Sequence, residues 1–255
     1  MLTYKEWDRK RDIRAFSPIS DTIKRHPAIM SSCPINTILF DLDGTIVCTE
    51  HVAIRAIDEY FYTLGIHLPL EEKHRIVGRK WETVLRELRE KYPVPQTLEE
   101  MTSIIMQHYR SMLEEDTPEV PGSADAIRRL QETYTLGLVS GSSRIDIERA
   151  LTKLHIQNSF AVILGRENYE SSKPDPDGYL RALDLLQCHA QSTVVFEDSL
   201  VGILAARSAG LRVIAVTHAN TYGADPAAAH HRIENFCGVT REWLEALEWN
   251  VHQTT

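Results

Sequence analysis

Thr37-Ile38-Leu39-Phe40-Asp41-Leu42-Asp43-Gly44-Thr45 is the stretch that decides the fold. Its first four residues form a short, essentially apolar run without polar alternation. Such a run predicts a strand buried on both faces, as in a parallel sheet. The run stops at a carboxylate, Asp41, and a second carboxylate and a glycine follow within three residues.

Downstream, the same kind of run recurs between helical stretches. Strands are expected at 135–140, 161–164, 193–197 and 212–216. Helices are expected at about 123–133, 143–155, 176–187, 200–209 and 240–248. This alternation predicts an α/β fold with a Rossmann-like, mostly parallel sheet and helices on both faces. Between the first two strands the pattern is different. Ala53, Ile54, Ile57, Phe61 and Leu64 follow helical spacing, as do Trp81, Val84, Leu85 and Leu88, and then Ile104, Ile105, Tyr109 and Met112. The region therefore reads as an inserted all-helical subdomain. The expected organisation is an N-terminal extension over 1–30, an α/β core over 31–48 and 120–255, and a helical insertion over 49–119. Trp7, Ile13 and Phe16 give the extension a small apolar surface.

Composition narrows the function. The 255 residues carry a formal net charge of -8, which argues against nucleic acid or an anionic membrane as a main partner. Cys33, Cys48, Cys188 and Cys237 contain no CxxC pair, so reduced thiols and a cytoplasmic location are expected. The first residues have no apolar core of a secretory signal, and no apolar run approaches a membrane span. His230 and His231 are adjacent rather than in metal-binding helical spacing.

The strand ends carry the chemistry. One strand runs into Asp41, another into Ser140-Gly141-Ser142-Ser143, and another into Glu197-Asp198-Ser199. Each alone would pass as a turn or helix-capping residue. Together, at the carboxyl edge of one sheet where ligands of open α/β sheets bind, they read as a site. Asp41, Asp43, Glu197 and Asp198 would bring four carboxylates close together. Two unit charges roughly 4 Å apart repel by about 4 kcal/mol at an effective dielectric near 20. Several such pairs would exceed a domain's usual stability margin, so cations are required. Hard oxygen ligands suit Mg²⁺. Lys173 in Ser172-Lys173-Pro174-Asp175-Pro176 is the second cation, with Asp175 expected as a helix N-cap and Pro176 in the first turn.

Asp41-Leu42-Asp43-Gly44-Thr45 matches the DxDGT signature of the haloacid dehalogenase-like superfamily, and Ser140, Lys173 and Glu197-Asp198 match its later motifs in order. The chain therefore resembles that superfamily over about residues 35–220. The helical insertion resembles the four-helix cap of the phosphoglycolate phosphatase and β-phosphoglucomutase subfamily. The resemblance implies a nucleophile at Asp41, which becomes an aspartyl phosphate, and a general acid and base at Asp43. It implies phosphate contacts from Gly44, Thr45, Ser140, Gly141 and Lys173. Gly44 is expected to form a tight turn that exposes backbone N–H groups. Mg²⁺ is expected on Asp41, the Asp43 carbonyl and Asp198, with Glu197 ligating directly or one shell out. A small phosphorylated metabolite is the expected partner.

The carboxylate at Asp43 favours phosphoester hydrolysis over dehalogenation. A phosphomutase is the alternative: Thr49 fits the mutase hinge threonine, but Ala53 stands at the usual hinge histidine and Trp81 at the usual cap arginine, with Arg79 nearby. A catalytically idle regulatory protein would be expected to have lost a motif residue, and none is lost. A serine hydrolase would need GxSxG, which the sequence around Ser140 lacks. His51, Arg55, Arg79, Lys80 and Trp81 are candidates for substrate contact from the cap.

Overall fold

The structure is a computed structural model that describes residues 33–76, 79, 81–218 and 228–249. The expected N-terminal extension, including Trp7, Ile13 and Phe16, and the candidate Lys80 lie outside these residues.

Among the described residues six strands form one sheet: β1 (Thr37–Phe40), β2 (Thr135–Val139), β3 (Val162–Leu164), β4 (Thr193–Glu197), β5 (Arg212–Val216) and β6 (His231–Ile233). Their order is β3-β2-β1-β4-β5-β6, and every neighbouring pair is parallel. The α/β, Rossmann-like expectation is met. β6 was not foreseen. It contains one apolar residue, Ile233, and gives no run to read. The chain leaves β1 for β2 and β3 on one side and returns for β4 on the other. β1 and β4 therefore flank the topological switch point, where the carboxyl ends open a crevice.

Helices cover both faces. On one lie α5 (Ser123–Leu130), α6 (Arg144–Lys153) and α9 (Arg241–Glu245), and on the other α7 (Asp177–Leu186) and α8 (Leu200–Ser208). β1 is buried along its length, as its unalternating sequence requires. Phe40 stacks on Phe196 at 5.2 Å, and both pack against Phe236, at 6.2 and 5.0 Å respectively. These rings fix β1 against β4 directly beneath the strand ends that carry Asp41 and Glu197. The helix after Lys173 begins later than expected. Pro176 precedes it, and the Asp175 carboxylate accepts from the Asp177 N–H at 3.0 Å.

Among the described residues the insertion holds four helices: α1 (Glu50–Thr63), α2 (Leu70–Ile76), α3 (Trp81–Lys91) and α4 (Leu98–Glu115). They share an apolar cluster of their own that includes Ile57, Phe61, Leu85, Leu88, Met101 and Ile105. α2 was not read separately, because its buried residues are only Glu72 and Ile76. At the base of the insertion Val47 forms an antiparallel bridge with Glu119. Cys48 N–H donates to the Pro118 carbonyl at 2.7 Å and Val120 N–H to the Ile46 carbonyl at 2.9 Å. The outgoing and returning chains are thus tied side by side next to Asp43 and Thr49.

Candidate active site

Parallel register places the motif residues. Phe40 is level with Leu138 on one side and Phe196 on the other, so Asp41 and Glu197 leave the sheet as neighbours. Asp41 N–H donates to the Phe196 carbonyl at 3.0 Å, which fixes the nucleophile candidate's backbone to β4. Its side chain is nearly buried. Lys173 reaches it from the loop after β3, with Nζ 2.5 Å from Asp41 Oδ1, 2.6 Å from Glu197 Oε1 and 3.2 Å from the Val139 carbonyl.

The charges are unevenly matched. Burial pushes the Asp41 carboxyl up to about 8, Lys173 opposing and Glu197 and Asp43 adding to the rise. Burial alone would lower Lys173, but Asp41 and Glu197 override it and hold the ammonium well above its ordinary value. Asp198 is also raised well above the usual carboxylate range, by burial first and then by Glu197, Asp41 and Glu50. One lysine therefore serves a cluster that remains short of positive charge.

Adjacent residues Glu197 and Asp198 face different partners, as successive residues of an extended chain must. Both Glu197 oxygens are engaged. Oε1 accepts from Lys173 and from Tyr179 Oη at 3.3 Å, while Oε2 accepts from the Ser199 N–H at 2.8 Å and Oγ at 3.0 Å. Glu197 thus holds Lys173 and anchors the start of α8. Asp198 instead lies over the Asp41–Thr45 turn, where Thr45 Oγ1 donates to its Oδ1 at 3.3 Å. Gly44, at φ 83°, sits so close that a Cβ there would stand 2.1 Å from Asp198 Oδ2. Glycine is needed for the left-handed backbone and for this approach.

The residues expected at the phosphate make contacts of their own. The Gly44 N–H donates to the Val47 carbonyl, and those of Thr45, Ile46 and Val47 all point to the Leu42 carbonyl. The turn consumes these amides rather than presenting them. Thr45 is fully buried with its hydroxyl on Asp198. Ser140, also buried, accepts from the Ser142 N–H at 3.0 Å and donates to Asp43 at 3.4 Å. Gly141 is exposed, with open space where a Cβ would be.

Asp43 is gripped through both oxygens. Thr49 Oγ1 donates to Oδ1 at 2.7 Å, and Ser142 Oγ donates to Oδ2 at 2.6 Å. The helical insertion touches this assembly through Tyr109 of α4, a buried phenol that stands against Thr49 and feels the Asp43 charge. Trp81 packs edge-on to Tyr109 at 5.2 Å. Arg55 is spent on Glu59 at 2.8 Å, Arg79 on Glu87 in a two-pronged pair at 2.6 and 2.9 Å, and His51 is exposed.

Sequence reading missed Tyr109, Tyr179 and Gly202. A Cβ at Gly202 would lie 1.6 Å from Glu197 Oε1, so α8 needs glycine there to admit the carboxylate. Among the described residues no three His, Cys, Asp or Glu side chains stand together as a ready metal-ligand group. The donors that suit Mg²⁺ in hardness and in unmet negative charge are Asp41 and Asp198.

A family model described as haloacid dehalogenase-like hydrolase matches residues 38–216, well over half of the chain. The chain belongs to the haloacid dehalogenase-like hydrolases and is an enzyme of that class. It is 30% identical over 200 residues to the bifunctional riboflavin kinase/FMN phosphatase of Arabidopsis thaliana, covering 78% of this chain and 50% of that one. The chain thus spans half the length of that relative. It is 27% identical over 186 residues to a phosphorylated carbohydrates phosphatase of Thermotoga maritima, covering 72% of this chain and 86% of that one. The crystal structure of CbbY from Rhodobacter sphaeroides in complex with phosphate superposes with a TM-score of 0.70 at 26% identity, covering 80% of this chain and 96% of that one. Among the described residues no helix is long and apolar enough to cross a membrane.

Proposed function

We propose that this protein is a Mg²⁺-dependent phosphatase that hydrolyses a small phosphate monoester through an aspartyl phosphate on Asp41. The observation that carries the reading is the pairing of two carboxylates in different settings. Asp41 is buried against Lys173 at 2.5 Å, while Asp43, two residues on, is held through three hydroxyls. A carboxylate attacks a phosphate dianion only where their repulsion is cancelled, and the closeness of Lys173 to Asp41 supports that role for the lysine. The hydroxyls that hold Asp43 support its reading as acid toward the leaving oxygen and then as base toward the attacking water. Asp41, Asp198 and the Asp43 carbonyl would hold Mg²⁺, with Glu197 acting through Lys173. When bound, Mg²⁺ supplies charge neutralisation at the phosphoryl oxygens.

Residues 49–119 act as a cap over a core of 31–48 and 120–255, and Gly141 opens the phosphate subsite. A phosphatase of phosphorylated carbohydrates and a phosphate-bound neighbour among the relatives support a small, polar phosphate ester as substrate. The test is turnover in ¹⁸O-labelled water over a single cycle on a panel of such esters. Free phosphate carrying one solvent oxygen is the expected product. Isomerised sugar phosphate with little free phosphate would replace this reading with the mutase.

A further inference from the structure

Two neighbouring residues of α4 reach the core beside Asp43. Tyr109 stands against Thr49, which donates to Asp43 Oδ1 at 2.7 Å. Arg110 forks onto Asp146 in the first turn of α6, with Nε 2.8 Å from Oδ1 and Nη2 3.0 Å from Oδ2. Asp146 in turn accepts from the hydroxyl of Ser143, the N-cap of α6, and its N–H returns a bond to Ser143 Oγ at 3.3 Å. Ser143 ends the loop 140–143, whose Ser142 hydroxyl donates to Asp43 Oδ2 at 2.6 Å. Each oxygen of Asp43 therefore has a support, and adjacent residues of one helix brace both supports.

We propose that Arg110 is a positioning residue of the catalytic centre, gripping Asp146 so that the Ser140–Ser143 loop holds Asp43 in line. The proposal rests on the reading of Asp43 as acid and base. A forked arginine–carboxylate pair fixes orientation as well as distance, and lysine cannot reproduce the fork. The pair joins residues 36 apart in sequence, across the insertion and the core. Arg149 lies 3.8 Å from Asp146 but belongs to the same helix, so it cannot tie α4 to α6. The Arg110 and Asp146 side chains are 37% and 16% exposed, so solvent screens the pair in part. Its contribution is geometric, and catalysis is far more sensitive to placement than folding is.

The reaction offers a way to separate placement from folding. With p-nitrophenyl phosphate, the Asp41 carboxylate forms the new bond to phosphorus while nitrophenolate departs with the electron pair of the broken P–O bond. That leaving group needs no proton. Hydrolysis of the aspartyl phosphate does need a base: water adds to phosphorus, the bond to Asp41 breaks, and the water's proton passes to Asp43. Loss of Asp43 alignment therefore slows the second step selectively.

Full-length Arg110→Ala, Arg110→Lys and Arg149→Ala proteins are compared with wild type by rapid-mixing and steady-state kinetics. Arg110→Ala is expected to show a burst of one nitrophenolate per enzyme and a kcat reduced roughly ten- to a hundredfold, with KM falling in step so that kcat/KM stays within about twofold of wild type. Arg110→Lys should recover only part of the loss, and Arg149→Ala should behave as wild type. If Arg110→Ala does not fold, Asp146→Asn, which keeps shape and removes charge, is expected to give the same burst. Wild-type kcat in Arg110→Ala, a loss confined to KM, or equal slowing of both phases overturns the assignment. Turnover by Asp41→Asn would instead overturn the phosphatase reading itself.

Discussion

Replacing Lys173 with methionine removes the ammonium while nearly preserving side-chain volume, and the structure sets the size of the effect. Lys173 and Glu197 are 12% and 1% exposed at the side chain, and Asp41 is 6% exposed overall. Deleting the lysine strands two buried carboxylates. Removing one partner of a buried pair typically costs about 3–5 kcal/mol. That is a large share of the roughly 5–15 kcal/mol that stabilises a domain. Metal-free Lys173→Met should therefore unfold at a clearly lower urea midpoint at pH 7, with an unchanged slope, when followed by circular dichroism. The deficit should shrink toward pH 5, because acid supplies the missing positive charge. An unfolding free energy within about 0.5 kcal/mol of wild type at pH 7 would refute the claim that this lysine neutralises the cluster.

Gly202→Ala should push Glu197 off Lys173, costing about 1–3 kcal/mol as an overpacked buried contact, and lower turnover as well; urea unfolding and steady-state kinetics check both, and wild-type values would mean α8 yields freely. Turnover should vanish in EDTA and return with Mg²⁺ but not Ca²⁺, whose looser coordination suits this chemistry poorly. In EDTA, wild-type stability should fall as pH rises from about 4 to about 8. Asp41's folded value lies above its unfolded one, so its contribution is complete below the unfolded value and lost as pH passes through the folded one. Urea midpoints at pH 5 and pH 8 measure this, and a higher midpoint at pH 8 contradicts the raised Asp41.

What the sequence disclosed divides by the range over which the physics acts. β1 and the turn at Asp41–Thr45 were legible because an unalternating apolar run and a glycine are local signals. β4 was legible for the same reason, and with it the arrival of Glu197 and Asp198 at the sheet edge. Their separate duties were not. They depend on the direction of each side chain at the strand end, which sends Glu197 to Lys173, Tyr179 and Ser199 and Asp198 to Thr45. Arg55 pairs with Glu59 four residues on along α1, a helical pairing that the sequence spacing itself displays. Arg79 finds Glu87 eight residues on, across a helix start, where no simple periodicity points. Tyr109 is the most instructive case. Its spacing with Ile105 and Met112 marks it as a packing residue, and its ring does pack, against Trp81. Only the fold carries α4 back to the hinge, where the same phenol faces Thr49 and so the carboxylate of Asp43. The apolar periodicity that forms the helix also delivers its polar tip to the site, and sequence spacing reports the first of these and not the second.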